Sequence, residues 1–122
     1  MEVGYYPGWT TGALRDYFEE MGRDGQRRKA EAKLRLDILT LRDFWPKTLN
    51  VTVRVLKGYE PLCELKREYQ GIAYRIFFCV KGNELWLLHS IEKESRKTPA
   101  SDLNLAFRRM NDVLTGKTRR IG

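Results

Sequence analysis

The stretch Ile72-Ala73-Tyr74-Arg75-Ile76-Phe77-Phe78-Cys79-Val80 constrains the fold more than any other, because it is apolar at nearly every position instead of at alternate ones. Ile72, Tyr74, Ile76, Phe78 and Val80 share one face, and Ala73, Arg75, Phe77 and Cys79 the other. That pattern belongs to a strand in the middle of a sheet. Gly82-Asn83, a favourable hairpin pair, joins it to a second strand over Glu84–Ile91, and a third over Leu62–Glu68 precedes it. Three consecutive strands predict an antiparallel meander. Val51, Val53 and Val55 alternate and mark a further short strand candidate.

Helical periodicity flanks this sheet on both sides. Thr11–Met21 sets Leu14, Tyr17, Phe18 and Met21 at helical spacing, with Thr10 or Thr11 as N-cap and Gly22 as a stop. After Gly22–Gly25, with Asp24 as a cap candidate, Ala30, Leu34, Ile38, Leu41 and Trp45 repeat on one face until Pro46. So short a connection predicts an antiparallel helix pair. Thr98-Pro99 opens a last helix carrying Leu103, Ala106, Phe107, Met110, Val113 and Leu114, and Gly116 can stop it. The expected fold is therefore α+β: an N-terminal helical hairpin on one side of a twisted antiparallel sheet, with the C-terminal helix near its edge.

A chain of 122 residues suits a single domain, here 1–122, that buries enough surface to need no metal or disulfide staple. Lys117, Arg119 and Arg120 fall on a short, flexible basic tail over about 117–122. The 23 Lys and Arg against 16 Asp and Glu give a net charge of +7, and Met21–Arg35 and Arg108–Gly122 hold much of that excess. A cationic face and a polyanionic partner are the expectation. Cys63 and Cys79 lie in strand segments with no CxxC or Cys/His spacing, so they read as buried thiols. No basic leader precedes an apolar run, and no 18 uncharged apolar residues stand together. A cytoplasmic protein with no membrane partner is expected.

Nucleotide-binding and metalloenzyme signatures are absent: no Walker loop, no GxGxxG after a strand, no HExxH and no zinc-spaced quartet occurs. What stands out is a concentration of cations on and after the sheet, namely Lys66, Arg75, Lys93, Arg96 and Lys97, beside the sole histidine, His89. Such a set can hold a phosphodiester and stabilise the added charge of a pentacoordinate transition state without a cofactor. With RNA, the 2′-OH is an internal nucleophile, and the protein needs only to orient it and manage protons. Tyr74, Phe77 and Trp86 are candidates to stack on splayed bases, although aromatics in strands are more often core.

Arg75 is the sharpest single signal, because a charge in an apolar central strand faces either a cleft or a buried partner, here Glu64 or Glu92. His89 is weaker, since a lone histidine at a strand end is more often a hydrogen-bonded structural group than a base. Hairpin register bears on it. A two-residue Gly82-Asn83 loop pairs Arg75 with Ser90 and sends His89 to the opposite face, whereas a longer loop or a bulge brings the two together. Sequence leaves both registers open.

The order Pro61-Leu62-Cys63-Glu64-Leu65-Lys66, Gly71, Tyr74-Arg75-Ile76-Phe77-Phe78, Leu87-Leu88-His89, Lys93 and Lys97-Thr98-Pro99 resembles the phage-derived branch of the RelE/HigB toxin superfamily. Val3-Gly4-Tyr5-Tyr6, Asp16-Tyr17-Phe18, Ala106 and Arg109 also fall in the expected order. The resemblance implies a RelE-like fold and the toxin of a type II toxin–antitoxin pair, an endoribonuclease that cuts mRNA on the ribosome without a cofactor. It implies neutralisation by an antitoxin carrying a helix-turn-helix domain. Two other activities on this fold are ParE-like inhibition of DNA gyrase and a phage or prophage binding role without catalysis. By the same resemblance Lys66 and Arg75 hold the scissile phosphate, Lys93, Arg96 and Lys97 contribute after the last strand, and His89 stands where the branch commonly has a histidine. This chain has Cys63-Glu64-Leu65-Lys66 where the branch usually has Trp-Glu-Leu-Arg, and Glu94 where a second lysine commonly follows.

Overall fold

Why the central strand is apolar on both faces becomes clear in a computed structural model that describes residues 1–93 and 98–118. The elements run β1 (Glu2–Tyr5), α1 (Ala13–Arg23), α2 (Arg28–Phe44), β2 (Thr52–Val55), β3 (Cys63–Tyr69), β4 (Ile72–Lys81), β5 (Glu84–Lys93) and α3 (Ala100–Leu114). The sheet order is β1-β5-β4-β3-β2, so β4 is its middle strand. Against one face pack Leu14, Phe18 and Met21 of α1 and Ala30, Leu34, Ile38 and Leu41 of α2, over Leu65, Tyr74, Ile76, Phe78 and Leu87. Against the other pack Ala106, Met110 and Val113 of α3, over Phe77, Cys79, Trp86 and Leu88. Each large apolar side chain so enclosed contributes about 1.5–3 kcal/mol of burial.

Two expectations about the architecture need correction. The sheet is mixed, because β1 pairs in parallel with β5, Val3 opposite Leu85 and Tyr5 opposite Leu87. Four residues of Glu-Val-Gly-Tyr carry too little alternation to announce a strand, and the partner lies some eighty residues on. Secondly, α3 lies across the face opposite the hairpin, over β4 and β5, and not at the sheet edge. The apolar side of β4 that the hairpin cannot reach requires that cover.

Helix ends differ from the sequence reading in ways that backbone bonding explains. α1 starts after Gly12, since Thr11 is engaged in the preceding turn, its carbonyl accepting from Gly8 N–H at 3.1 Å. It continues through Gly22 to Arg23. Asp24 organises the connection between the helices: its carboxylate accepts from Gln26 N–H at 2.8 Å, and its carbonyl from Arg28 N–H at 2.9 Å. The bond from Gln26 N–H, and then that from Arg27 Nε at 2.9 Å, hold the Asp24 carboxyl below the usual range. Gly116 ends α3 as expected, in the left-handed region at φ 75 with its N–H on Val113 O.

Candidate functional site

Register places the two leading cations side by side. Lys66 on β3 is directly opposite Arg75 on β4, and β2 sets Thr52 opposite Lys66 and Arg54 opposite Glu64. All face the α3 side, where Thr52, Arg54, Glu64, Lys66 and Arg75 line a recess of about 220 Å³. Its floor is a buried ion pair: Arg75 Nη1 donates to Glu64 Oε1 at 2.6 Å, with the two side chains 3% and 1% exposed. Glu64 Oε2 also accepts from Arg54 Nη2 and from the Thr98 hydroxyl, both at 3.3 Å. One carboxylate thus serves two guanidinium groups and a hydroxyl, which is how so deep a charge is compensated.

The walls differ from the floor. Lys66 and Arg54 are 30% and 59% exposed, so their charges are presented to the outside, whereas Arg75 acts from below. Lys66 also meets the exposed Glu68 at 3.0 Å, a solvent-screened pair of little strength. A second polar recess, of about 370 Å³, adjoins through Thr52 and Lys66 and is lined further by Asp37, Asn50, Arg67 and Glu68. There Arg67 Nε donates to the buried Asp37 carboxylate at 2.8 Å and ties β3 to α2.

His89 arrives by a route that neither hairpin register alone describes. The Gly82-Asn83 turn keeps two residues, with Lys81 opposite Glu84, but the register shifts between Phe77 and Phe78. Leu88 is the extra residue, and beyond it Phe77 faces His89 and Arg75 faces Ile91. The bulge therefore puts His89 on the same face as Arg75, as its diagonal neighbour. Its ring stacks on Phe77 at 6.0 Å with an interplanar angle of 17°, and Nε2 lies 2.8 Å from Asp102 Oδ1 in the first turn of α3. His89 opens on a different recess, of about 250 Å³, with Ala13, Leu14, Tyr17, Ser90 and Arg109.

The remaining candidates separate. Lys93 is exposed at the end of β5, opposite Ala73. Arg96 and Lys97, like Glu94 and the tail residues Arg119 and Arg120, lie outside the described residues. Tyr74 requires correction as a contact for RNA: it is 3% exposed, in the core beneath the helical hairpin and on the face away from Lys66 and Arg75. Phe77 and Trp86 are core as well. The alternation that makes Arg75 stand out puts Tyr74 on the other side.

Sequence reasoning missed Arg54, Thr98 and Asp102 as members of the site. Arg54 had a signal, since it sits between Val53 and Val55 and must face opposite to them. Thr98 precedes the last helix in sequence, but Pro99 is its N-cap and the Thr98 hydroxyl reaches the sheet. The cations of Met21–Arg35 fall elsewhere: Arg28, Lys29 and Lys33 are exposed on α2, over the opposite face of the sheet.

The family described as phage derived protein Gp49-like (DUF891) matches residues 22–111, a span from the end of α1 into α3 that holds the whole recess. No curated protein and no solved structure matches. Among the described residues no helix is long and apolar enough to cross a membrane.

Proposed function

Because the chain belongs to the phage-derived Gp49-like family, a RelE/toxin-like family, we propose that it is the toxin of a type II toxin–antitoxin pair and cuts ribosome-bound mRNA. The observation that carries this reading is the recess in which Arg54, Lys66 and Arg75 surround the single carboxylate of Glu64. An excess of cation in a pocket of that size suits one phosphodiester. Lys66 and Arg54 make the contacts, and Arg75 contributes its charge from the floor.

The reaction is attack of the ribose 2′-oxygen on the adjacent phosphorus. The O2′–P bond forms as the 2′-OH gives up its proton, which ends on water; the P–O5′ bond breaks with its electron pair on O5′, and O5′ takes a proton from water. A 2′,3′-cyclic phosphate and a 5′-hydroxyl result. Lys66 and Arg54 offset the charge that gathers on the phosphoryl oxygens, and the ribosome orders the mRNA so that attack is in line. The proposed partner that silences the toxin is an antitoxin with a helix-turn-helix domain.

Controlled expression followed by mapping of mRNA 5′ ends tests the proposal. Codon-phased cuts are expected with the unaltered chain, and Lys66→Ala should reduce them tenfold or more, as losing a charge-assisted contact of about 1.5–3 kcal/mol in the transition state requires. A DNA-damage response without cuts would replace this reading with gyrase inhibition, and the absence of both would leave a binding role.

A further inference from the structure

The His89–Asp102 pair is not needed to hold a phosphate, yet three independent features fix it. The Leu88 bulge turns His89 onto the α3 face, Phe77 lies flat against the ring, and Asp102 meets Nε2 at 2.8 Å. An ionised carboxylate only accepts hydrogen bonds, so the nitrogen it meets must carry the proton. The neutral ring is thereby held with hydrogen on Nε2 and a lone pair on Nδ1.

The surroundings of that ring are also built. The bulge takes Leu88 out of the ladder, and Arg109 Nη1 donates to the Leu88 carbonyl at 2.8 Å while its guanidinium sits 5.2 Å from the centre of the Tyr6 ring. Among the described residues the charged or titratable groups around His89 include Asp102 and Arg109 from α3, Tyr17 from α1 and, diagonally across the sheet, Arg75 from β4. The Tyr17 hydroxyl donates to Glu92, and burial together with that bond pushes its ionisation upward, so it stays neutral. The histidine side chain is 18% exposed, enough for one edge to be reached from outside.

We infer that Asp102 is a positioning residue that sets the tautomer of His89, and that the nitrogen left bare, Nδ1, accepts the 2′-OH proton during RNA cleavage. The inference rests on the ribonuclease reading and adds to it the group that takes the proton. As the O2′–P bond forms, the proton passes from O2′ to Nδ1, and the ring afterwards releases it to water. Arg109 anchors the bulged backbone that carries the ring.

Because His89 is the sole histidine, its ring nitrogens give the only imidazole signals in a 15N NMR spectrum of the full chain. At a pH where the ring is neutral, the unaltered protein should show hydrogen on Nε2. Asp102→Asn, whose amide can donate or accept, should give a mixture of tautomers, and Asp102→Glu should restore the single form. On programmed ribosomes, single-turnover cleavage should slow about a hundredfold in His89→Gln. It should slow about tenfold or more in Asp102→Asn, with half-saturating ribosome concentration unchanged and with recovery in Asp102→Glu. A tautomer unchanged in Asp102→Asn would overturn the inference, as would cleavage by His89→Gln at the unaltered rate. An unaltered chain that cuts no RNA overturns the ribonuclease reading itself and removes this role with it.

Discussion

Glu64 shows most directly how one side chain decides the character of its neighbourhood. Replacing it by Gln leaves Arg75 buried without its carboxylate, and breaking such a pair from one side costs about 3–5 kcal/mol. The pair Arg75→Met with Glu64→Leu should cost much less, since it removes both charges together. Urea denaturation of the single and double variants checks the ordering. The same geometry makes Lys66→Ala a cleaner probe of substrate charge than Arg75→Ala, which also strands Glu64. The thiols make a second case. Burial pushes Cys63 up to about 11 and Cys79 up to about 12, so both are protonated, unreactive groups at neutral pH. A thiol reagent at pH 8 should label neither until the chain unfolds. Their folded values lie above the ordinary thiol value of 9.0. Their contribution to stability is therefore complete below about pH 9 and is lost as pH rises toward 11–12, which denaturant midpoints measured across that range would show.

Strand β1 is held by a small margin. Only four residues pair with β5, and its hold depends on Trp9 folding back over Gly4, where a Cβ would fall 2.1 Å from the indole ring. Trp9 in turn meets Trp86 edge to face at 4.8 Å. Gly4→Ala should therefore push Trp9 off the strand, lower the melting temperature by several degrees and shift the tryptophan emission to the red, whereas a chain with unchanged emission would show that the indole adapts. Gly4 was legible as part of a motif, but its physical reason was not. That reason is contact with a ring five residues away across a turn, and no periodicity reports it. The β4–β5 hairpin is the contrasting case. Gly82, with φ 58 and open space where a Cβ would sit, takes the left-handed position that its turn requires, as the dipeptide signalled. The bulge at Leu88 left no trace in the pattern.

At the scale of the whole molecule, a sheet covered on both faces divides the charge into separate districts. The recess of Lys66 and Arg75 lies on the α3 side, while Arg28, Lys29 and Lys33 face solvent from α2 on the other. If the recess holds substrate, Lys66→Ala together with Arg54→Ala should abolish growth arrest on expression. Reversal of Lys29 and Lys33 should leave cleavage at the recess intact once RNA is bound. Growth curves with 5′-end mapping on the same cultures would separate the two. The sequence by itself determined α1 to α3 and β2 to β5 and their kinds, because apolar periodicity, Gly82-Asn83 and Pro46 act over a few residues and need no partner to be read. It also singled out Lys66 and Arg75 as cations of one cluster, which the register of β3 against β4 then sets opposite each other. Only the tertiary structure decided that β1 joins in parallel, that α3 covers the second face, that Tyr74 is core and that His89 meets Asp102. Each of those depends on contacts between segments far apart in the chain, or on one inserted residue that reverses which face a side chain takes.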